Sequence, residues 1–209
     1  MEGSRIDLLT NKMNTKIKSE KFTGSYGIVI IPDKETCRQA LLLAKELSRD
    51  IDFKDPTPHI TLYHARFSEL PKRVVMSTLD QLKLFLGLEL ELSELQVYGS
   101  KFLFWNIKKN TCIQHMHEEA LRISKYLDRK SVSRAIEEEK LDLSDKELRL
   151  IKNYGHPLIK HHYIPHITLA YSASGIQLPM MSYKRRIMRV EDIIFAEIGD
   201  YGVVRRKVI

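Results

Sequence analysis

The sequence predicts an α+β fold made of two related lobes that face each other across a cleft. Three observations predict it: a pentapeptide that occurs twice, a second and shorter repeat, and short β-branched runs alternating with helix-spaced segments. Pro58-His59-Ile60-Thr61-Leu62 returns unchanged as Pro165-His166-Ile167-Thr168-Leu169, 107 residues later. Thr36-Cys37-Arg38-Gln39 returns as Thr111-Cys112-Ile113-Gln114, 75 residues later, and each tetrapeptide opens a predicted helix. The offsets differ by 32 residues, close to the size of a charged insertion between the copies plus its flanking helix.

The elements follow in order. Residues 1–24 are rich in Lys, Asn, Ser and Thr and lack periodicity, so they read as an N-terminal extension to a single domain over 25–209. Tyr26 to Ile31 is a β-branched apolar run closed by Pro32, a buried strand, and Leu41 to Leu47 continues on helical spacing. The first pentapeptide, extended through Tyr63, is a second strand. A helix is expected from Pro71 to Phe85, strands at Leu88 to Val97 and Phe102 to Ile107, and a helix from Thr111 to Leu127. Asp128 to Glu147 holds seven acidic and five basic residues with few large apolar ones, the signature of a solvated helical insertion near 128–155. A helix from Asp145 to Asn153, the turn Tyr154-Gly155-His156-Pro157, a strand from Ile164 to Tyr171 and a closing hairpin (Met188 to Ile198, Val203 to Ile209) complete the chain.

With 209 residues, 43% of them hydrophobic, the chain is long enough for a substantial core, and no apolar run approaches the ~18 residues of a membrane-spanning helix. The N-terminus lacks the order of a secretory signal, so a cytoplasmic, monomeric protein without membrane contact is expected. Two cysteines are too few for a disulfide framework and read as reduced core residues. The 34 basic residues exceed the 27 acidic ones, a net charge of +7 that favours anionic partners. From Lys184 to Ile209 seven basic residues face four acidic ones, which fits a solvated hairpin as well as an RNA track.

Chemistry concentrates in the repeated pentapeptide. On a strand, residues i and i+2 share a face, so His59 with Thr61, and His166 with Thr168, stand opposite the apolar residues between and after them. Facing lobes would then set two imidazoles and two hydroxyls around one cleft. That set suits phosphodiester cleavage without a metal: a neutral histidine takes a proton from the attacking oxygen, a protonated one supplies the leaving oxygen, and the hydroxyls bind the non-bridging oxygens. One such motif alone reads more simply as a structural histidine; two identical copies in a repeated unit point to catalysis.

These paired His-x-Thr motifs resemble those of the 2H phosphoesterase superfamily, which includes 2′-5′ RNA ligase-like proteins and 2′,3′-cyclic nucleotide phosphodiesterases. The resemblance runs from about Tyr26 to the C-terminal hairpin. It implies a duplicated, bilobal fold with two antiparallel sheets lining a central cleft and helices outside. It also implies catalytic His59 and His166, phosphate-binding Thr61 and Thr168, and no cofactor or metal. Tyr154-Gly155-His156-Pro157 is similar, with one residue changed, to a Tyr-Gly-Tyr-Pro turn of some bacterial members linked to phosphonate metabolism.

The expected activity is hydrolysis of 2′,3′-cyclic phosphates on RNA ends or nucleotides. The alternatives are cleavage of 2′-5′ linked or cyclic oligonucleotides in signalling or defence, and a non-catalytic nucleotide- or RNA-binding module. Tyr63 shares the face of His59 and Thr61 and is a tentative substrate-binding residue. Tyr171, at odd spacing from His166, faces away unless its strand bulges. His64 falls on the apolar side as a core histidine, and His115 and His117 are expected on the surface. His161, His162 and His166 lack a partner at metal-binding spacing. Trp105 reads as core, and no phosphate-binding Gly-rich loop is present.

Overall fold

The computed structural model describes residues 20–47, 57–133, 144–177 and 185–209. Most of the expected extension (1–19) and the middle of the charged insertion (134–143) lie outside the described residues. Among the described residues seven strands, β1 (Lys21–Pro32), β2 (Ile60–Pro71), β3 (Glu89–Tyr98), β4 (Phe102–Ile107), β5 (His166–Tyr171), β6 (Arg186–Ile198) and β7 (Val204–Lys207), form an α+β fold with several helices. The helices are α1 (Lys34–Leu47), α2 (Lys72–Leu82), α3 (Thr111–Ala120) and α4 (Asp145–Tyr154). Among the described residues no helix is long and apolar enough to cross a membrane.

All strand pairings are antiparallel, in the order β1-β2-β5-β4-β3-β6-β7. The sequence leads one to expect two separate sheets; the strands instead belong to one hydrogen-bonded network. The long β6 joins its ends: Arg186 to Arg189 pair with β3, while Val190 to Glu197 pair with β1. The pairings of six strands therefore run in a closed circuit, which leaves few open edges for another chain to pair with. On the other side the circuit is thin, because β2 and β5 meet only at Ile60↔Ile167.

Gly27 to Ile30 is an unbroken buried run because both faces of β1 are covered. Ile28 and Ile30 enter the main core, while Val29 packs with Ile194, Ala196 and Ile198 on the other side. Trp105 is fully buried, as its apolar surroundings in the sequence suggest. Helix α2 buries Val75, Thr78, Leu79 and Leu82, and α3 buries Ile113, Met116, His117 and Ala120, each set on one helical stripe. Asp33 caps α1 at the Thr36 amide and Asn110 caps α3 at the Ile113 amide. Thr36 is therefore the third residue of its helix and Thr111 the first of its own, so the repeated tetrapeptides occupy different helical positions. Cys37 and Cys112 are free thiols, and burial pushes the Cys37 thiol up to about 11.

Strands β2 and β5 each carry one extra residue just after the repeated threonine. Opposite β1 the register steps from Val29↔Thr61 to Ile28↔Tyr63, leaving Leu62 as the bulge. Opposite β4 it steps from Phe104↔Thr168 to Leu103↔Ala170, leaving Leu169 as the bulge. These are the same position of the two pentapeptides. A bulge reverses the in–out alternation beyond it.

The bulge carbonyl of Leu62 is claimed by His117, contrary to the surface position expected for it. His117 is 1% exposed; its Nδ1–H donates to the Leu62 carbonyl at 2.6 Å, and its Nε2 accepts the Lys160 amide at 2.8 Å. The ring stacks on Tyr163 at 4.0 Å, and the Tyr163 hydroxyl donates to the Thr61 carbonyl at 3.0 Å. Burial holds His117 at about 4, so the neutral ring that this donor–acceptor pattern needs is the form present near neutral pH. His117→Leu orphans one buried carbonyl and one amide and should cost about 2–4 kcal/mol in urea unfolding. The exposed neighbour His115→Leu should stay within about 0.5 kcal/mol of the parent, and equal losses for both would refute this role.

Candidate functional site

The pair Ile60↔Ile167 sets the geometry of the site. Antiparallel order around that pair brings His59 towards Thr168, and Thr61 towards His166, on the face opposite the two isoleucines. Both isoleucines are fully buried, while all four polar residues are partly open and line one cavity of about 480 Å³. The four side chains singled out in the sequence are thus brought together.

The two imidazoles are held in the same way. His59 Nδ1 lies 2.7 Å from the Thr57 carbonyl, and His166 Nδ1 lies 2.7 Å from the Ile164 carbonyl, each two residues upstream. A carbonyl can only accept, so Nδ1 carries the proton and Nε2 is left as the basic nitrogen in both rings. Burial lowers the proton affinity of His59, against the pull of the Thr57 and Gly202 carbonyls. Burial likewise holds His166 down at about 4, with His59 and His64 adding to the depression.

The cavity contains two histidines that sequence spacing did not place there. The Leu62 bulge turns His64 onto the Thr61 side of β2, where Gly27 faces it across the β1 pairing. A Cβ on Gly27 would lie 2.9 Å from that of His64, so glycine makes the room. The second is His156, delivered by the turn after α4. Gly155 ends that helix in the left-handed region (φ 78°), with its amide on the Ile151 carbonyl at 2.7 Å. The rings of His64 and His156 lie 5.1 Å apart. Burial holds them at about 4 and about 3, with His59 lowering His64 further, and His64, His166 and His117 lowering His156 further.

By the step in register Tyr63 no longer shares the face of Thr61 through simple alternation, and it remains among the residues that line the cavity. Tyr63 is 2% exposed, and its hydroxyl donates to the Tyr154 carbonyl at 2.8 Å, which ties β2 to the end of α4. In β5 the Leu169 bulge brings Tyr171 against Phe102 and Tyr201, with the Tyr171 and Tyr201 rings stacked at 4.0 Å. Phe102 and Tyr201 line the cavity, as does the stack of Tyr98 on Phe104 and Phe104 on His166, the last at 3.6 Å. His161 and His162 sit in a 3-10 turn outside the cavity lining.

Among the described residues the lining includes four histidines and Arg66, and no Asp or Glu. An anion entering this space meets N–H and O–H donors and no opposing carboxylate, which favours phosphate. The aromatic walls suit a stacked heterocycle.

His64, His117, His156 and His166 are each held at about 4 or about 3. In the unfolded chain they bind protons near pH ~6.5, so the unfolded state takes up more protons as pH falls below that value. Their contribution is intact above pH ~6.5 and lost as pH drops towards their folded values. The urea midpoint should fall between pH 7 and pH 4.5, with more than one proton taken up on unfolding at pH 5; a midpoint flat over that window would refute the neutral cluster.

No family model matches the chain, and no curated protein matches it significantly. Among solved structures the chain is similar to E. coli LigT complexed with NADP+, with a TM-score of 0.47 and 13% identity over 88% of this chain and 92% of that one.

Proposed function

We propose that the protein is a metal-independent phosphodiesterase that opens 2′,3′-cyclic phosphates of RNA ends or nucleotides, with His59 and His166 as its acid–base pair. The observation that carries this reading is the matched tethering of the two rings. Both have Nδ1–H bonded to the carbonyl two residues back, and both threonines stand on the same side of the strand pair.

A nucleotide enters with its base against the aromatic wall and its phosphate between the two motifs. The Thr61 and Thr168 hydroxyls donate to the non-bridging oxygens. Both imidazoles start neutral, and the phosphate charge raises their proton affinity, so one of them takes a proton from solvent as substrate binds. The neutral Nε2 removes a proton from water as the water oxygen bonds to phosphorus. The protonated Nε2 gives its proton to the departing ribose oxygen as the P–O bond breaks. The product is a phosphomonoester beside a free hydroxyl, and the rings have exchanged protonation states. In the crowded, low-dielectric cleft the threonine donors stabilise the pentacoordinate charge.

Hydrolysis of 2′,3′-cyclic nucleotides should persist in EDTA, and His59→Ala and His166→Ala should each lower kcat/KM by about 10²–10⁴-fold while nucleotide binding survives. Thr61→Val and Thr168→Val should each lose about 10²-fold, on the scale of one transition-state donor. Turnover abolished by EDTA, or retained in either histidine variant, refutes the mechanism. Binding without turnover in the parent protein would favour the non-catalytic module, and turnover confined to 2′-5′ linked or cyclic oligonucleotides would favour the alternative enzyme.

The pH profile tests the same pair. Turnover requires one proton on a pair of rings that are neutral in the free enzyme near neutral pH, because both proton affinities lie below the ordinary value. The kcat/KM profile should therefore be a bell with its maximum below pH ~6.5, its two limbs belonging to the pair. A maximum above pH ~7.5 would contradict it.

A further inference from the structure

The tethered pair occupies only one end of the cavity wall. Beyond the Leu62 bulge, period-2 alternation resumes, so His64 and Arg66 follow one another along the cavity side of β2. Ser25 pairs with Arg66 in the register and lines the same cavity. His156 closes this stretch from the opposite element. Its Nδ1 accepts the Leu158 amide at 3.0 Å, which fixes its own ring proton on Nε2 as a donor. Arg66 is exposed, takes part in none of the ion pairs among the described residues, and has Asp128 as the nearby charge that feels it.

Imidazole N–H groups, a serine hydroxyl and a guanidinium form a donor strip next to the tethered pair, and hydrolysis of a single phosphodiester makes no use of it. We propose that His64, His156 and Arg66 form a second phosphate subsite, so that the cleft selects nucleotides carrying a further phosphate beyond the scissile one, as an oligonucleotide end does and a cyclic mononucleotide does not. This rests on the phosphodiesterase reading and adds its substrate class. Arg66 supplies the permanent charge at the open side, where a guanidinium binds a phosphate through two parallel N–H bonds. The two imidazoles supply directed donors further in. Gly27 belongs to the subsite as the residue whose missing side chain lets His64 stand beside β1.

Equilibrium binding tests this without any turnover. The full chain is titrated by calorimetry, at physiological salt, with adenosine 3′-monophosphate and with adenosine 3′,5′-bisphosphate. The parent protein should bind the bisphosphate at least about tenfold more tightly, a gap on the scale of one charge-assisted contact. His64→Gln and Arg66→Gln should each shrink that gap to within about threefold, with thermal melting confirming that both variants are folded. Equal affinities in the parent, binding of neither nucleotide, or a gap that survives both substitutions would overturn the proposal. A parent protein that shows the gap but fails to open cyclic phosphates would overturn the catalytic reading and leave the subsite standing as a binding site.

Discussion

Everything that gives this cleft its character depends on one narrow contact, the pairing of Ile60 with Ile167. Elsewhere the strand circuit is held by several consecutive pairs, but here a single pair joins β2 to β5. The two isoleucines are the central residues of the repeated pentapeptides. Because they are fully buried, their polar neighbours on either side must face the other way. A one-residue slip at this joint would drive four polar side chains into the core, and that penalty holds the register where few hydrogen bonds do. Tyr163 reinforces it from outside the sheet, stacking on His117 while its hydroxyl reaches the Thr61 carbonyl. The second motif's approach segment is thereby fastened to the backbone of the first.

Electrostatics of the cleft follow from what the wall omits. Among the described residues four imidazoles line the cavity and no carboxylate does; burial depresses each ring, and histidine neighbours add to the depression of His64, His156 and His166. The empty cleft near neutral pH is therefore uncharged on its histidines and ready to take up a proton when an anion arrives. A carboxylate beside either tethered ring would raise the proton affinity of that ring and bias it towards the protonated form. With a backbone carbonyl on Nδ1, each ring turns Nε2 to the cleft, and the proposed acid and base roles would be assigned by a substrate of defined polarity.

Much of this was legible in the sequence. The strand–helix order, the limits of β4, the helix beginning at Asp145 and the convergence of His59, Thr61, His166 and Thr168 follow from periodicity and from the exact pentapeptide repeat. What escaped was parity. Strict alternation puts His64 in the core, and the structure has it lining the cleft because Leu62 is an extra residue. The sign was present: Leu62 and Tyr63 are two consecutive apolar residues, as are Leu169 and Ala170, where alternation would have demanded a polar one. His117 was legible too, since it shares the stripe of Ile113, Met116 and Ala120. Weighing it only against His115 hid that relation. The tetrapeptide repeat misled in the opposite direction, because matching letters lie at different helical positions.

The paired bulges explain how one strand can serve two demands. Up to the threonine, β2 and β5 must present polar groups to the cleft and apolar groups to the core. Beyond it each must bring an aromatic or basic residue to that same cleft. Perfect alternation over the whole strand would serve both, but it would leave the strand straight and the cleft shallow. An extra residue at Leu62 and at Leu169 bends each strand just past its polar pair, which curves the wall around the phosphate position. The same step brings His64 into the cavity lining and sets Tyr171 against Phe102 and Tyr201, which line the cavity themselves. Corresponding bulges thus deliver unlike side chains: an imidazole where a second phosphate is proposed, and an aromatic cluster where a base can stack. The two motifs are alike where the proposed chemistry needs two histidines, and they diverge one residue later, where a bound nucleotide would present different ends.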